Sequence, residues 1–271
     1  MTPLYRYISL NSNVNFERFF KLLNENKLYF SSPKYFNDPY DAKIHFADGS
    51  VEEIENYLLF THKRKYPNDS DEKVLRLIRA RPPKYNSSWI RETSIKELDP
   101  SFDKLGVVCL SENNNDILMW SHYSDAHRGI CLEFDKDIID SSKWFIGKVD
   151  YPEDNHYVDF KVFREAIENN EKAFRTFLLR KSFHWVYEKE WRIIVGLKAM
   201  DENSSKNAED KQFLPCHEKM LTGIILGMKT PDTLKQTFSQ LVQNKSIKLY
   251  EAKRNENSYV IDVRECECPN P

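Results

Sequence analysis

Apolar positions recur along this chain with two periods, and the switches between them mark out its elements. Leu4-Tyr5-Arg6-Tyr7-Ile8 reads as a short opening strand. Asn13 is then placed to cap a helix whose Phe16, Phe19, Phe20 and Leu23 share one face. Lys27-Leu28-Tyr29-Phe30-Ser31 alternates as a strand does, and Ser32-Pro33 ends it. Asn37-Asp38-Pro39-Tyr40-Asp41 follows as an ordered loop, because Asn and Asp side chains bond nearby backbone groups.

Residues 50–97 read as helical and charged. Ser50 with Glu53 makes a capping box ahead of Ile54 and Leu58, and Val74, Leu77 and Ile78 give a second amphipathic helix. Arg81-Pro82-Pro83 interrupts the block, and a third helix is expected from Ser88 to Leu98. Val107-Val108-Cys109-Leu110-Ser111 and Gly129-Ile130-Cys131-Leu132-Glu133-Phe134 are buried strands by their apolar runs, and Trp144–Tyr151 is a third. A long amphipathic helix is expected from Phe163 through Ala166, Ile167, Phe174, Phe177 and Leu178.

Glu190-Trp191-Arg192-Ile193-Ile194-Val195 is a β-branched strand stopped by Gly196. A polar loop spans 198–211 and a buried strand Leu221–Leu226. Thr230-Pro231 opens a helix, with Thr as its cap and Pro in its first turn. Two alternating strands, 247–253 and 258–264, close the chain as a hairpin through Asn255-Glu256-Asn257. Strands and helices mix without regular βαβ alternation. The expected fold is α+β: one domain over residues 1–265, a mixed or split, mostly antiparallel sheet, a helical insertion at 50–97, and a disordered tail at 266–271.

Composition narrows the function. Seven glycines exclude a collagenous chain, and 13% aromatic residues exclude a disordered one. Forty Lys and Arg against 42 Asp and Glu leave a net charge of −2, which argues against a bulk electrostatic grip on nucleic acid. No apolar run reaches the roughly 20 residues of a membrane span, and the opening residues lack a leader's charged and apolar regions. No membrane partner and a cytoplasmic setting are therefore expected. Cys109 and Cys131 sit in apolar runs as small buried hydrophobes of a reducing compartment. Walker, Ser-elbow, dinucleotide-glycine and metal-ligand spacings are absent from the sequence.

Three segments carry polar residues that a core alone does not call for. Tyr29 and Ser31 share a strand face and run into Asn37, Asp38 and Asp41, which read equally as ligand contacts or as a self-bonded turn. Trp120, His122 and Tyr123 supply an aromatic wall with one imidazole, or else a helix start packed into the core. Glu188, Glu190 and Arg192 fall on one strand face. A Glu entering so apolar a strand is either paired with an Arg or poised for chemistry.

Several of these segments carry a likeness. Leu4-Tyr5-Arg6-Tyr7, Lys27–Pro33, Phe36–Asp41, Val108-Cys109-Leu110-Ser111, Met119-Trp120-Ser121-His122-Tyr123, Gly129–Phe134 and Tyr187-Glu188-Lys189-Glu190-Trp191-Arg192 together resemble the bacterial family called domain of unknown function 2971. That resemblance implies a setting in phage defence or mobile elements and no chemistry. A second likeness is to the ADP-ribosyltransferase superfamily, with Arg6, then Tyr29 or Ser111, then Glu190 in the order of its three motifs, and Glu188-Lys189-Glu190 similar to its Glu-x-Glu. It implies NAD as cofactor and a protein or nucleic-acid acceptor for a toxin or defence effector. Glu190 would stabilise an oxocarbenium ion, with Tyr29 and His122 beside it. Arg6, Ser31, Asn37, Asp38, Asp41, Trp120, Tyr123 and Glu188 would bind the nucleotide. The polar loop at 37–41 is a departure from that superfamily. Two other classes stand beside it. One is a metal-dependent nuclease or hydrolase using Asp38, Asp41 and Glu190 with His122. The other is a non-enzymatic sensor that binds a nucleotide or phage component through Trp120–Tyr123 and Asn37–Asp41.

Overall fold

A computed structural model describes residues 2–80, 86–102, 104–154, 156–196 and 212–266. In chain order the strands are β1 (Pro3–Ile8), β2 (Lys27–Tyr29), β3 (Leu105–Ser111), β4 (Ile130–Asp135), β5 (Phe145–Lys148), β6 (Glu190–Gly196), β7 (Phe213–Pro215), β8 (Leu221–Leu226), β9 (Lys248–Arg254) and β10 (Ile261–Glu265). The helices are α1 (Asn13–Glu25), α2 (Val51–Lys65), α3 (Asp71–Arg79), α4 (Ser87–Phe102), α5 (Ile117–Tyr123), α6 (Lys136–Asp140), α7 (Phe160–Glu168), α8 (Asn170–Ala173) and α9 (Asp232–Val242).

Eight strands form one sheet in the order β10-β9-β8-β4-β1-β3-β6-β5, and β2 pairs with β7 in a second. Within the large sheet β8 and β9 are parallel, and the other neighbours run antiparallel. This is the α+β arrangement the sequence pattern implies.

The chain's contacts gather into two units. The first is Met1–Ser31, Leu105–Lys148 and His184–Pro271, and the second is Ser32–Lys104 and Val149–Phe183. Both sheets belong to the first. The helical insertion expected at 50–97 is part of the second, which also takes in Val149–Phe183.

In the first unit the period-2 pattern of β1 sends Leu4, Arg6 and Ile8 to one sheet face and Tyr5 and Tyr7 to the other. On the first face Leu4, Leu132, Phe134 and Ile224 pack with Phe19 and Leu22 of α1 and Phe238 of α9. On the second face Tyr7, Cys131 and Ile225 pack with Met119 and Trp120 of α5. Each such buried side chain contributes about 1.5–3 kcal/mol. Ser12, one residue before the expected cap, accepts from the Asn15 N–H and starts α1. Asn26, in the left-handed region at φ 50°, ends it.

Three further expectations change. Thr230 is buried and donates to the carbonyls of Arg128 (3.2 Å) and Gly129 (3.0 Å), so it ties two loops together and Pro231 precedes α9. In the second unit the long helix expected from 163 to 178 is broken. Asn169 is extended, and its side chain accepts from the Lys172 N–H at 3.2 Å, so it ends α7 and opens the next turn. Cys266, expected in a disordered tail, still donates its N–H to the Leu249 carbonyl at 2.8 Å. The loop expected at 198–211 and the residues after Cys266 lie outside the described residues.

Candidate functional site

The large sheet is split at its middle. β1 pairs with β4 from Pro3 to Ile8, and β3 with β6 from Leu105 to Ser111. Between β1 and β3 a single register position is shared, Tyr5 opposite Ser111. Further along β3, Val107 exchanges both backbone hydrogen bonds with Ser31, at 2.9 and 2.8 Å. Ser31 therefore occupies a β3 edge that β1 leaves, and it lines neither of the two cavities that flank the split.

A cavity lies on each side of this waist. The one lined by Tyr5, Glu112, Asn113, Lys136 and Trp191 has a volume of about 400 Å³. Its charges are already matched: Glu112 accepts from Lys148 (2.6 Å) and from the Trp191 indole (2.8 Å), and Lys136 pairs with Asp140 (2.5 Å). The carboxyl of Glu112 is held below the usual carboxylate range by those two donors, against the opposing effect of burial.

The second cavity, of about 260 Å³, differs in its charge. Its polar lining is Arg6 from β1, Asn15 and Arg18 from α1, Tyr29 from β2, and His122 and Tyr123 from α5, set among Phe19, Leu22, Leu28 and Leu132. It is walled by the second half of β1, by α1, β2 and α5, and by Leu132 of β4. Among the described residues no carboxylate lines it, and neither Arg6 nor Arg18 has an ion-pair partner. Arg6 donates to the Tyr29 carbonyl at 3.3 Å, which aims its guanidinium into the cavity. Arg18 lies over the Tyr29 ring, 3.6 Å from its centroid. Burial first, and then the like charge of Arg18, pull Arg6 below the usual arginine range. A guanidinium keeps its proton under such pressure.

Arg6, Tyr29, His122 and Tyr123, four of the residues proposed from sequence, are thus brought together. Tyr29 acts there as a platform. Its hydroxyl is donated to Gln212 at 2.5 Å and its ring carries Arg18, so it is not poised as a catalytic group. His122 is exposed, with its ring 6.3 Å from that of Tyr123. Tyr123 donates to Glu188 Oε1 at 2.6 Å, which places a buried carboxylate directly behind the lining.

Other proposed residues are placed elsewhere. Trp120 is 0% exposed and donates its indole N–H to the Asn114 carbonyl at 2.9 Å. It packs edge-on against Tyr7 with centroids 5.2 Å apart, so it is a core residue and offers no face to a ligand. Glu190 lies opposite Ser111 and Ser111 opposite Tyr5, so Glu190 projects to the sheet face that Arg6 does not. There it binds Arg192 through two bonds, 2.8 Å from Nε and 3.0 Å from Nη2, with both side chains buried. Asn37, Asp38 and Asp41 belong to the second unit. Asn37 is exposed, Asp38 accepts from the Tyr40 N–H at 2.9 Å, and Asp41 pairs with Lys181 at 3.5 Å. Among the described residues no three His, Cys, Asp or Glu side chains are grouped to hold a metal ion. No described helix is long and apolar enough to cross a membrane.

Arg18 and Asn15 escape a reading by period because their helix is judged by its apolar face. The available signal is that Asn15 and Arg18 follow helical spacing as a polar edge beside Phe19, Leu22 and Leu23. No curated protein and no solved structure matches the chain. The model of a family described as protein of unknown function (DUF2971) matches residues 119–193, the segment that runs from α5 with His122 and Tyr123 to Glu188 and to Glu190 and Arg192 of β6.

Proposed function

We propose that the cavity walled by β1, α1, β2 and α5 binds a phosphate-bearing small molecule and that the chain acts as a binding module for it. One observation carries this reading: two guanidiniums share a semi-enclosed pocket in which, among the described residues, no carboxylate balances them. Guanidinium forks match phosphate oxygens, and low-dielectric walls strengthen that attraction. The apolar lining from Phe19, Leu22 and Leu28 suits the uncharged remainder of a ligand. The volume lies just under the roughly 300 Å³ where pockets for drug-sized molecules begin. A single phosphate with one attached ring suits that space.

ADP-ribosyl transfer is the weaker reading for this geometry. Its carboxylate would have to be Glu190, which is committed to Arg192 on the other sheet face. A metal-dependent hydrolase is weaker too, because Asp41 and Glu190 each already face a cation. Isothermal titration of the full chain with inorganic phosphate and adenosine monophosphate tests the proposal. Saturable binding that weakens with salt and is lost in the Arg6→Ala/Arg18→Ala double variant is expected. At 100 times Kd the ligand should also stabilise the fold by about 2.7 kcal/mol. No binding of either probe, or undiminished binding by the double variant, overturns it. Labelled NAD cleaved by wild type but not by Glu190→Gln would favour the transferase instead.

A further inference from the structure

We infer that the outer edge of β10 is a self-association surface, on which a second copy of this chain adds its own β10 antiparallel across a two-fold axis at Val263. β10 ends the large sheet, with β9 on one side and, among the described residues, no strand on the other. The ladder fixes which of its backbone groups face outward. Asn255 donates its N–H to the Val260 carbonyl at 3.1 Å, and Cys266 donates to the Leu249 carbonyl at 2.8 Å. Both pairs continue the register that sets Ile261 opposite Arg254 and Glu265 opposite Tyr250. Antiparallel pairs alternate between bonded and non-bonded, so the even-numbered residues of β10 bond to β9. Ile261, Val263 and Glu265 then turn their N–H and C=O groups outward, and such an edge is a template for another strand.

Side-chain charge selects the partner and the register. Asp262 and Arg264 flank Val263 and carry opposite signs. A two-fold axis through Val263 sets Asp262 of each copy opposite Arg264 of the other, in the non-bonded positions where Cα atoms stand about 4.5 Å apart. Behind them in β9, Lys253 lies opposite Asp262 and Glu251 opposite Arg264. The row across the seam then reads Lys253, Asp262, Arg264, Glu251, alternating in sign over four strands. Charges of one sign on an edge repel a copy, whereas this symmetry turns them into matches. Arg264 bonds Asp262 of its own chain at 3.0 Å, but its side chain is 68% exposed, and a pair so exposed holds it weakly. On the opposite face Val263 meets its counterpart. The pairing uses the same surface on both copies, so it closes at two.

Sedimentation equilibrium of the full chain tests this. A seam of one five-residue strand is at the small end of specific interfaces, so half-dimerisation is expected on the order of tens of micromolar. From about 2 to about 400 μM the average mass should climb from that of one chain toward that of two. A monomer throughout overturns the inference, and that measurement needs no variant to fold. Asp262→Arg alone, or Arg264→Asp alone, sets like charges opposite each other at both crossings, and each should weaken association at least about tenfold. An equimolar mixture of the two variants sets opposite charges at both crossings again and should recover most of that loss. Val263→Pro removes an outward donor and spares the ladder to β9, so it should abolish the dimer and leave the circular-dichroism spectrum unchanged. Undiminished association of the charge variants or of Val263→Pro overturns the placement at β10. Loss in both charge variants without recovery in their mixture overturns the two-fold register. The phosphate reading is independent of either result.

Discussion

Replacing Glu190 by Gln separates the two roles its sequence allows. The carboxylate holds Arg192 through bonds of 2.8 and 3.0 Å, and Arg192 is 0% exposed. Removing one partner of a buried ion pair leaves the other charge desolvated and costs about 3–5 kcal/mol. For a chain of this size each kcal/mol lowers Tm by about 2–4 °C, so a drop on the order of 10 °C is expected. Calorimetry or a circular-dichroism melt measures it. The companion variant Glu190→Leu/Arg192→Met removes both charges of this pair, and part of the loss should return. Phosphate binding by Glu190→Gln at low temperature should match wild type, since this pair and Arg6 project from opposite faces of the sheet. A Tm within about 2 °C of wild type would refute the structural role. So would a double variant no more stable than Glu190→Gln.

Three further outcomes are expected. His127 is buried with Nδ1 unpartnered, and burial first, then the charge of Lys229, lowers its pKa from 6.5. The unfolded chain then takes up the proton first as pH falls, so stability is full above about pH 6.5 and declines below it. A Tm series from pH 7.5 to 5.5 should show this decline, with a shallower slope in His127→Gln. Asp125, Ala126 and His127 form a left-handed run at φ 48°, 49° and 72°. Ala126→Gly should raise stability by about 0.5–1 kcal/mol in urea titration, because the strain exceeds the added chain entropy, and a loss would contradict it. A Cβ on Gly129 would stand 2.1 Å from the Ile8 carbonyl oxygen, whereas one on Gly196 would meet nothing within 4 Å. Gly129→Ala should cost 3 kcal/mol or more in the same assay and Gly196→Ala less than about 1.

Local pattern was enough for most elements of this protein. The alternation of Tyr5 and Tyr7 against Leu4 and Ile8, the Ser50–Glu53 capping box and the hairpin around Asn255 depend on neighbours a few residues apart, and all three are observed. The same holds for Glu190 and Arg192, two residues apart on one strand and therefore on one face. Asn169 shows where local reading stops. Its side chain chooses to cap a new turn over continuing an amphipathic stripe, and periodicity does not register that choice.

The candidate site itself depends on pairing between distant strands. Arg6 and His122 are legible as unusual residues, yet their meeting requires α5 to fold back beside β1. Arg18 enters because α1 lies against the same cavity, and Trp120 leaves because the fold completes its core with it. Sequence by itself determined the α+β class, the strand faces and the set of chemically unusual residues, because those follow from backbone period and side-chain polarity. Only tertiary structure decided which of them share a cavity and which charges are already balanced, because strand order and ion pairing are set by contacts between residues far apart in the chain.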